Sequence, residues 1–402
     1  NSLAVSPIRP LWHASWRLFR TNETQQYTTG PQDRKTAGHP RESYWNYAVH
    51  MSPDVRTDLD AIPAYVPGAT VPGAVKLASN ETTAGPLPSV AAAIAEAAAS
   101  ANRYPDITAR ALVDKLADFL GVQPSNVTAG CGSVALCQQL VQASCAPGDE
   151  VIFGWRSFEA YPIVARIAHA VPVQVPNRAD GSLDLDAIAE AVTDRTRLIF
   201  VCTPNNPTGP AVSRTELAEF LDRIPERITV ALDEAYYEYL RSDDPVDGVA
   251  EAMARTNVVS LRTFSKAYGL AGLRVGYMVG PADLVTPVAK MVVPFSVSSL
   301  AQAAGIACLE AGDELRARTD AVVAERTRVR EALLASGFEA PESQANFIWL
   351  PLGDRATEFN DHCREHLVIT RCFAGDGVRV SIGDPAENDR FLTAVQEFVT
   401  VM

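Results

Sequence analysis

The sequence predicts an α/β protein with a mainly parallel sheet. From Ser52 onward short apolar runs alternate with helical patterns, and a long charged helix pattern then opens a last hundred residues of different character. With 402 residues, 47% hydrophobic and 21% charged, the chain can bury a large core, and its length suits two or three domains. The apolar runs Val151–Phe153, Val171–Val175, Leu198–Cys202, Ile228–Leu232, Val258–Leu261 and Val275–Val279 are each short enough to be a buried strand. Between them lie helix patterns. Ser133–Ala143 follows a Gly-rich turn, and Ser213–Arg223 opens on a capping box of Ser213 with Glu216. A charged helix pattern over Asp313–Ala335 leads to strand-like runs at Asn346–Leu350 and Val378–Ile382, which reads as a smaller α+β unit. Ile62–Ala78, rich in Pro and Gly, reads as an extended arm running back onto that unit. The expected layout is an extension over 1–50, an arm over 51–85, a large domain over 86–300 and a small domain over 301–402.

Charge narrows the function. Against 48 acidic residues stand 35 basic ones, net −13, which argues against a protein built to hold nucleic acid or to lie on anionic lipid. No apolar stretch approaches the roughly 18 residues of a membrane span; Ala91–Ala101 comes nearest, and Glu96 interrupts it. Seven cysteines are scattered without a CxxC pair, so neither a disulfide framework nor a zinc ribbon is expected, and a reducing cytoplasm fits. The first fifty residues carry six basic and three acidic side chains, with Trp12, Trp16 and Trp45 but no sustained period. They lack the apolar core of about 7 to 15 residues that a secretory signal needs. With Asn1 at the start and Met51 opening the patterned part, they are expected to be disordered or a non-native extension.

Three segments carry chemistry: Thr203–Gly209 (TPNNPTG), Asp233–Tyr236 (DEAY) and Arg262–Tyr277 (RTFSKAYGLAGLRVGY), each just past a predicted strand. Ligands of open α/β sheets bind beyond the carboxyl ends of strands, so the three should converge on one crevice. Taken singly, NNPTG is a turn signal, DEAY a strand ending in solvated acids, and Lys266 one Lys among many.

In this order the motifs resemble fold-type I pyridoxal phosphate (PLP) aminotransferases, in the branch of the histidinol-phosphate and aromatic amino acid enzymes, over about Ile62 to Leu392. The resemblance implies a large domain with a mainly parallel seven-stranded sheet flanked by helices, a smaller α+β domain, and PLP as cofactor. It makes Lys266 the amine that joins PLP through an imine and then moves the proton at the substrate Cα, work that needs a neutral fraction of the amine. Thr263, Ser265 and Arg274 become a phosphate cup, to which Ser133 and Val134 in GCGSV add backbone N–H groups at a helix N-terminus.

Asp233 becomes the carboxylate that keeps the pyridine nitrogen protonated, so that the ring can absorb electrons. Tyr236 and Asn206 become donors to the ring's phenolate oxygen. Phe158 in WRSFEAY stacks on the ring, although by composition Trp155 or Tyr161 is equally eligible. By the same resemblance Tyr104 in NRYPD would reach the neighbouring subunit's phosphate, which implies a homodimer as the active unit; a Tyr-Pro turn is the alternative.

For the substrate, Arg379 in GVRVSIG grips the α-carboxylate, unless, alternating with Val in a strand, it faces solvent. Tyr65 in AYVPG and Asn80 in SNE lie in the arm folded over the substrate, and Arg371 falls near an Arg that meets distal substrate groups. His362 and His366 stand at i, i+4, but HCREH lacks the HExxH order and reads as a solvated helix face.

Within the branch, histidinol-phosphate enzymes carry an acidic pair where this chain has Val134 and Ala135. The wording GCGSVALCQQL, FGWRSFEAYP and VPFSVSSLAQAA is similar to the actinobacterial aromatic (phenylalanine) group. The expected activity is transfer of the amino group of an aromatic amino acid to a 2-oxo acid such as 2-oxoglutarate, with histidinol phosphate as the second substrate reading. Decarboxylation at Cα uses the same Lys and Asp on the same fold. A PLP-binding regulator needs a DNA-binding helical domain, which the first fifty residues are too short and unpatterned to form.

Overall fold

The computed structural model describes residues 71–400 together with Arg56, Thr57, Asp60 and Ile62. The readings placed on residues 1–50, on Tyr65 and on most of the Ile62–Ala78 arm before Val71 lie outside the described residues. The elements run β1 (Val75–Lys76), α1 (Pro88–Ala98), α2 (Arg110–Leu120), β2 (Val127–Gly130), α3 (Ser133–Ser144), β3 (Glu150–Trp155), α4 (Ala160–Ile167) and β4 (Val171–Pro176). Next come α5 (Leu185–Glu190), β5 (Thr196–Cys202), α6 (Arg214–Arg223), β6 (Thr229–Asp233), α7 (Gly248–Ala254), β7 (Val258–Thr263), β8 (Gly276–Val279), α8 (Ala282–Met291) and α9 (Ser299–Glu310). The chain ends with α10 (Gly312–Ala335), β9 (Phe347–Leu350), α11 (Ala356–Glu365), β10 (Val368–Ile369), β11 (Arg371–Phe373), β12 (Gly377–Ser381) and α12 (Pro385–Thr400).

Seven strands form one sheet in the order β2-β8-β7-β6-β5-β3-β4. Its strands from β7 to the edge strand β4 are parallel. The continuous apolar runs seen in the sequence arise because this sheet is covered on both faces. Alternate side chains of one strand enter different cores: Val151, Phe153, Leu198, Phe200 and Ala231 pack with α3, α4 and α8, whereas Ile152, Ile199, Val201, Val230 and Leu232 pack with α5, α6 and α7. At the edge, β4 is largely exposed and carries Pro172 and Pro176, which blunt an open strand against further pairing.

The β7–β8 connection changes the sheet's direction. Residues 264–275 double back without a crossover helix, so β8 pairs antiparallel with β7 and with β2. That hairpin-like return holds Ser265, Lys266 and Arg274 beside the strand ends.

A second unit of secondary structure is built on the antiparallel sheet β11-β12-β9, with α10, α11 and α12 around a core that includes Ile348, Phe359, Val378, Val380 and Phe391. The helix α10 spans two cores: Leu315 belongs with α1, α2 and α9, and Val329 and Leu333 belong with β9 and β12. The segment before α1 joins that second core. Strand β1 pairs parallel with β10, Leu77 is buried there, and the Ser381 N–H donates to the Leu77 carbonyl at 2.8 Å. The solvated helix face expected for His362 and His366 is not what the structure shows. Their rings lie 4.2 Å apart; His362 Nε2 bonds the Ala394 carbonyl of α12 at 2.8 Å, and His366 Nε2 meets Glu397 at 2.6 Å. The pair is a helix–helix contact, because α12 packs over that face of α11.

Candidate active site

The strand ends open on a cavity of ≈ 490 Å³. Among the residues singled out from sequence, Asn80, Ser133, Val134, Phe158, Asn206, Asp233, Tyr236, Thr263, Ser265, Lys266, Arg274 and Arg379 all line it.

One end is built for an anion. Gly132 caps α3 with φ 76° and provides no side-chain oxygen to the first turn, so the N–H groups of that turn can serve a ligand. The Arg274 guanidinium lies where a Cβ on Gly132 would stand, and a Cβ on Gly276 would come within 2.7 Å of the Ser133 nitrogen. Only glycine lets β8 and the Arg274 loop close on the helix end. Arg274 itself adopts φ 56° and donates from Nη1 to Ser265 Oγ at 3.3 Å and to the Ala271 carbonyl at 2.8 Å. The Thr263 hydroxyl donates to Ser265 Oγ at 3.0 Å and accepts from the Ser265 N–H at 3.1 Å. Hydroxyls, a guanidinium and helix-end N–H groups together suit a phosphate dianion.

Opposite stands a buried acid. Asp233 ends β6 and is 3% exposed. Its Oδ2 accepts from the Tyr161 hydroxyl at 2.6 Å, and Oδ1 from the Ala235 N–H at 3.3 Å. Burial raises its pKa to about 6, although both hydrogen bonds favour the charged form. An ionised acid so enclosed calls for a cationic N–H partner.

Lys266 projects between these poles and donates from Nζ to the Ser79 carbonyl at 3.1 Å. Burial, and next the cation of Arg379, lower its pKa to about 7, with Arg274 adding to the effect. At neutral pH a large fraction is therefore the free amine that attack on an aldehyde requires.

Along the remaining wall, the Tyr236 hydroxyl accepts from Asn80 Nδ2 at 2.9 Å, and burial holds this phenol above its ordinary pKa, so it stays a donor. Asn206 Oδ1 accepts from Arg379 Nη1, which leaves its amide NH2 as what it can donate to a ligand oxygen. Arg379 is buried in the middle strand β12, not turned to solvent; it donates from Nη2 to the Ala78 carbonyl at 2.7 Å. Asn80 is held by Ser381, which accepts from its N–H at 2.8 Å and donates to its Oδ1 at 2.9 Å. Phe158 caps the cavity, its ring meeting Tyr161 edge-on at 5.6 Å.

Two predicted residues lie apart. Tyr104 is 83% exposed and stacks on Phe295 at 4.7 Å. Arg371 pairs with Glu159 at 2.8 Å, beside Phe158 but not in the cavity wall. Sequence reasoning missed Tyr161 as the partner of Asp233; its one signal was the i, i+3 spacing from Phe158 in SFEAY, which turns the ring under the strand ends. It also missed Arg262, which looks like part of the phosphate motif but is buried in an ion pair with Glu234 at 3.1 Å, its guanidinium 3.6 Å from the Tyr237 ring centroid. That pair ties the ends of β6 and β7 together.

An anion cup, a part-neutral amine and a buried acid facing one cavity at the carboxyl ends of a parallel sheet define a fold-type I PLP enzyme, and the donor set fits that cofactor from phosphate to ring nitrogen. The chain belongs to the class I and II aminotransferases, whose family model matches residues 72–395. It is 62% identical over 342 residues to the aromatic amino acid aminotransferase of Rhodococcus opacus (strain B4), covering 85% of this chain and 95% of that one. It is 58% identical over 345 residues to the protein of the same name from Nocardia farcinica (strain IFM 10152), covering 85% and 96%. Among solved structures, the PLP complex of histidinol-phosphate aminotransferase from Sinorhizobium meliloti aligns with a TM-score of 0.76 at 28% identity, over 81% of this chain and 91% of that one. L-threonine-O-3-phosphate decarboxylase from Porphyromonas gingivalis aligns at 0.71 and 26% identity, over 81% and 99%.

Proposed function

We propose that this chain moves the α-amino group of an aromatic L-amino acid to a 2-oxo acid such as 2-oxoglutarate, with Lys266 as the catalytic amine. The convergence of Lys266, Asp233 and Arg379 on one cavity carries the reading, and the names of relatives 55–62% identical over most of the chain give it its substrate class.

When bound, PLP supplies an aldehyde for the amine and a ring that takes up the electrons freed at the substrate Cα. The protein's share is placement and proton handling. The helix end, Thr263, Ser265 and Arg274 hold the phosphate. Asp233 would keep a proton at the ring nitrogen, Tyr236 and Asn206 would donate to the ring oxygen, and Phe158 would pack against the ring. Arg379, braced by Asn206 and Ala78, receives the α-carboxylate and so turns the Cα–H bond toward Lys266 Nζ, which takes the proton. We place Asn80 over the substrate.

An aromatic side chain needs an apolar slot, whereas a phosphorylated imidazole brings a dianion that must meet fixed cations. The cavity wall also includes the apolar α4 residues Ala160, Ile163, Val164 and Ile167, and the nearby cation Arg371 is already matched by Glu159. Both observations support a ring over a phosphate. With 2-oxoglutarate as acceptor, kcat/KM for phenylalanine or tyrosine should exceed that for histidinol phosphate at least tenfold, about 1.4 kcal/mol in transition-state binding. Rates with the three donors check this; histidinol phosphate ahead by the same margin would reverse the assignment.

The working unit we infer is a homodimer. Tyr104 and Phe295 stack on each other and are both exposed, an apolar pair that suits a second copy of the chain. From there Tyr104 would reach the neighbour's phosphate. Tyr104→Phe and Lys266→Ala, each impaired alone, should then regain part of the activity when mixed as heterodimers, because one site would hold both intact residues. Heterodimers without recovery would place Tyr104 in its own site or in none. The seven cysteines are free thiols, which supports a reducing, cytoplasmic setting, and no described helix is long and apolar enough to cross a membrane.

A further inference from the structure

We propose that Tyr161 is a positioning residue for this reaction: its hydroxyl aims Asp233 and sets how strongly that acid holds the proton it shares with the cofactor's ring nitrogen. Tyr161 does not line the cavity, so it would act only through Asp233 and Phe158.

The geometry gives this side chain little freedom. Its ring is fully buried, stacked on Phe200 with centroids 4.4 Å apart and planes 4° from parallel, flanked by Phe153 at 5.6 Å, and met edge-on by Phe158. A phenol clamped in this way can direct its O–H only by rotation about the C–O bond, and Asp233 Oδ2 lies 2.6 Å away. That length is typical of a hydroxyl donating to a charged carboxylate. The bond to Asp233 from the Ala235 N–H, at 3.3 Å, is much longer. Tyr161 is thus the stronger of the two restraints on the carboxylate, and it withdraws electron density from the acid that must leave a proton on its partner. Without the hydroxyl, Asp233 would be freer to rotate and more basic, and would draw the shared proton toward itself. The same ring supports Phe158, so a single side chain links two residues of the cavity wall, Phe158 and Asp233.

The inference rests on Asp233 being the partner of the ring nitrogen, and the test separates the two. Tyr161→Phe deletes one oxygen and keeps the stack, whereas Phe200→Leu loosens the stack and keeps the oxygen. In holoenzyme, the visible absorption of bound PLP titrates with pH, and a weaker positive charge at the ring nitrogen moves that midpoint up. Tyr161→Phe should raise the midpoint by about half a unit or more, lower kcat about tenfold with KM nearly unchanged, and leave the Tm of the apoenzyme close to wild type. Phe200→Leu, which keeps the hydroxyl, should lower that Tm and move the midpoint much less than Tyr161→Phe does. Asp233→Asn should move the midpoint further than Tyr161→Phe. If Asp233→Asn leaves it unmoved, the reading of Asp233 fails. If Asp233→Asn moves it and Tyr161→Phe does not, only the role of Tyr161 fails. Collapse of the apoenzyme in Tyr161→Phe would equally overturn that role, since the hydroxyl would then be serving the fold.

Discussion

Lys266→Ala is expected to abolish turnover of free amino acids, a loss of about four powers of ten or more in kcat, because the same amine attaches the cofactor and carries the proton. Purified wild-type protein should be yellow, and borohydride should fix the cofactor on Lys266, which peptide mass mapping would show; fixation on any other lysine would sink the assignment. The amine's environment adds a pH signature. Burial and the cations Arg379 and Arg274 bring its pKa down to about 7, so the reactive neutral form gains population as pH rises through neutrality. Apoenzyme mixed with PLP should therefore develop its visible band at a rate that climbs with a midpoint near 7. A midpoint close to that of an ordinary lysine, about 10.4, would show that the amine is solvated and that the cavity does not lower its pKa as described.

What the sequence made legible follows the physics of each element. Strands β3, β5, β6 and β7 were readable because both faces of each are buried, which writes a continuous apolar run; Phe153 and Ile152 go to opposite cores from adjacent positions. Strand β2, Val127–Gly130, was not. With only Val127 and Ala129 apolar, it is held by pairing with β8 rather than by any pattern of its own. Strands β10 and β11 are two and three residues long, below the length at which periodicity exists. The capping box at Ser213 was visible because it is local, and it formed as read.

Sites followed the same rule. The residues at strand ends within motifs converge on one cavity. The contacts that sequence could not show are those set by tertiary packing: Tyr161 on Asp233, Arg262 on Glu234, and Arg371 on Glu159, each joining segments that no local spacing relates. The two histidines of α11 mislead for the same reason, since whether a helix face meets solvent or α12 is decided outside the helix.

Asp233→Ala should separate holding the cofactor from using it. The phosphate end of the cavity, with the α3 N-terminus, Ser265 and Arg274, is untouched by this substitution, so a large part of the affinity for PLP should remain. The ring nitrogen, in contrast, would face a pocket that no longer holds a carboxylate, with the Tyr161 hydroxyl left behind. A nitrogen in that setting has no reason to stay protonated at neutral pH, and a neutral ring accepts electrons from the Cα–H bond far less readily. The expected fall in kcat is several powers of ten, where each factor of ten is about 1.36 kcal/mol of barrier. The wild-type enzyme should show the same dependence in milder form. Burial raises the pKa of Asp233 to about 6, and a protonated ring nitrogen against the carboxylate pulls it lower, so the contribution of this group to kcat should be fully present at pH 7 and decline only as pH falls below 6. In Asp233→Ala that acid limb should vanish. Cofactor titration together with a pH–rate profile checks both halves; near wild-type turnover with PLP bound would contradict the electron-sink role of this acid, and loss of PLP binding altogether would show that the cup alone does not hold the cofactor.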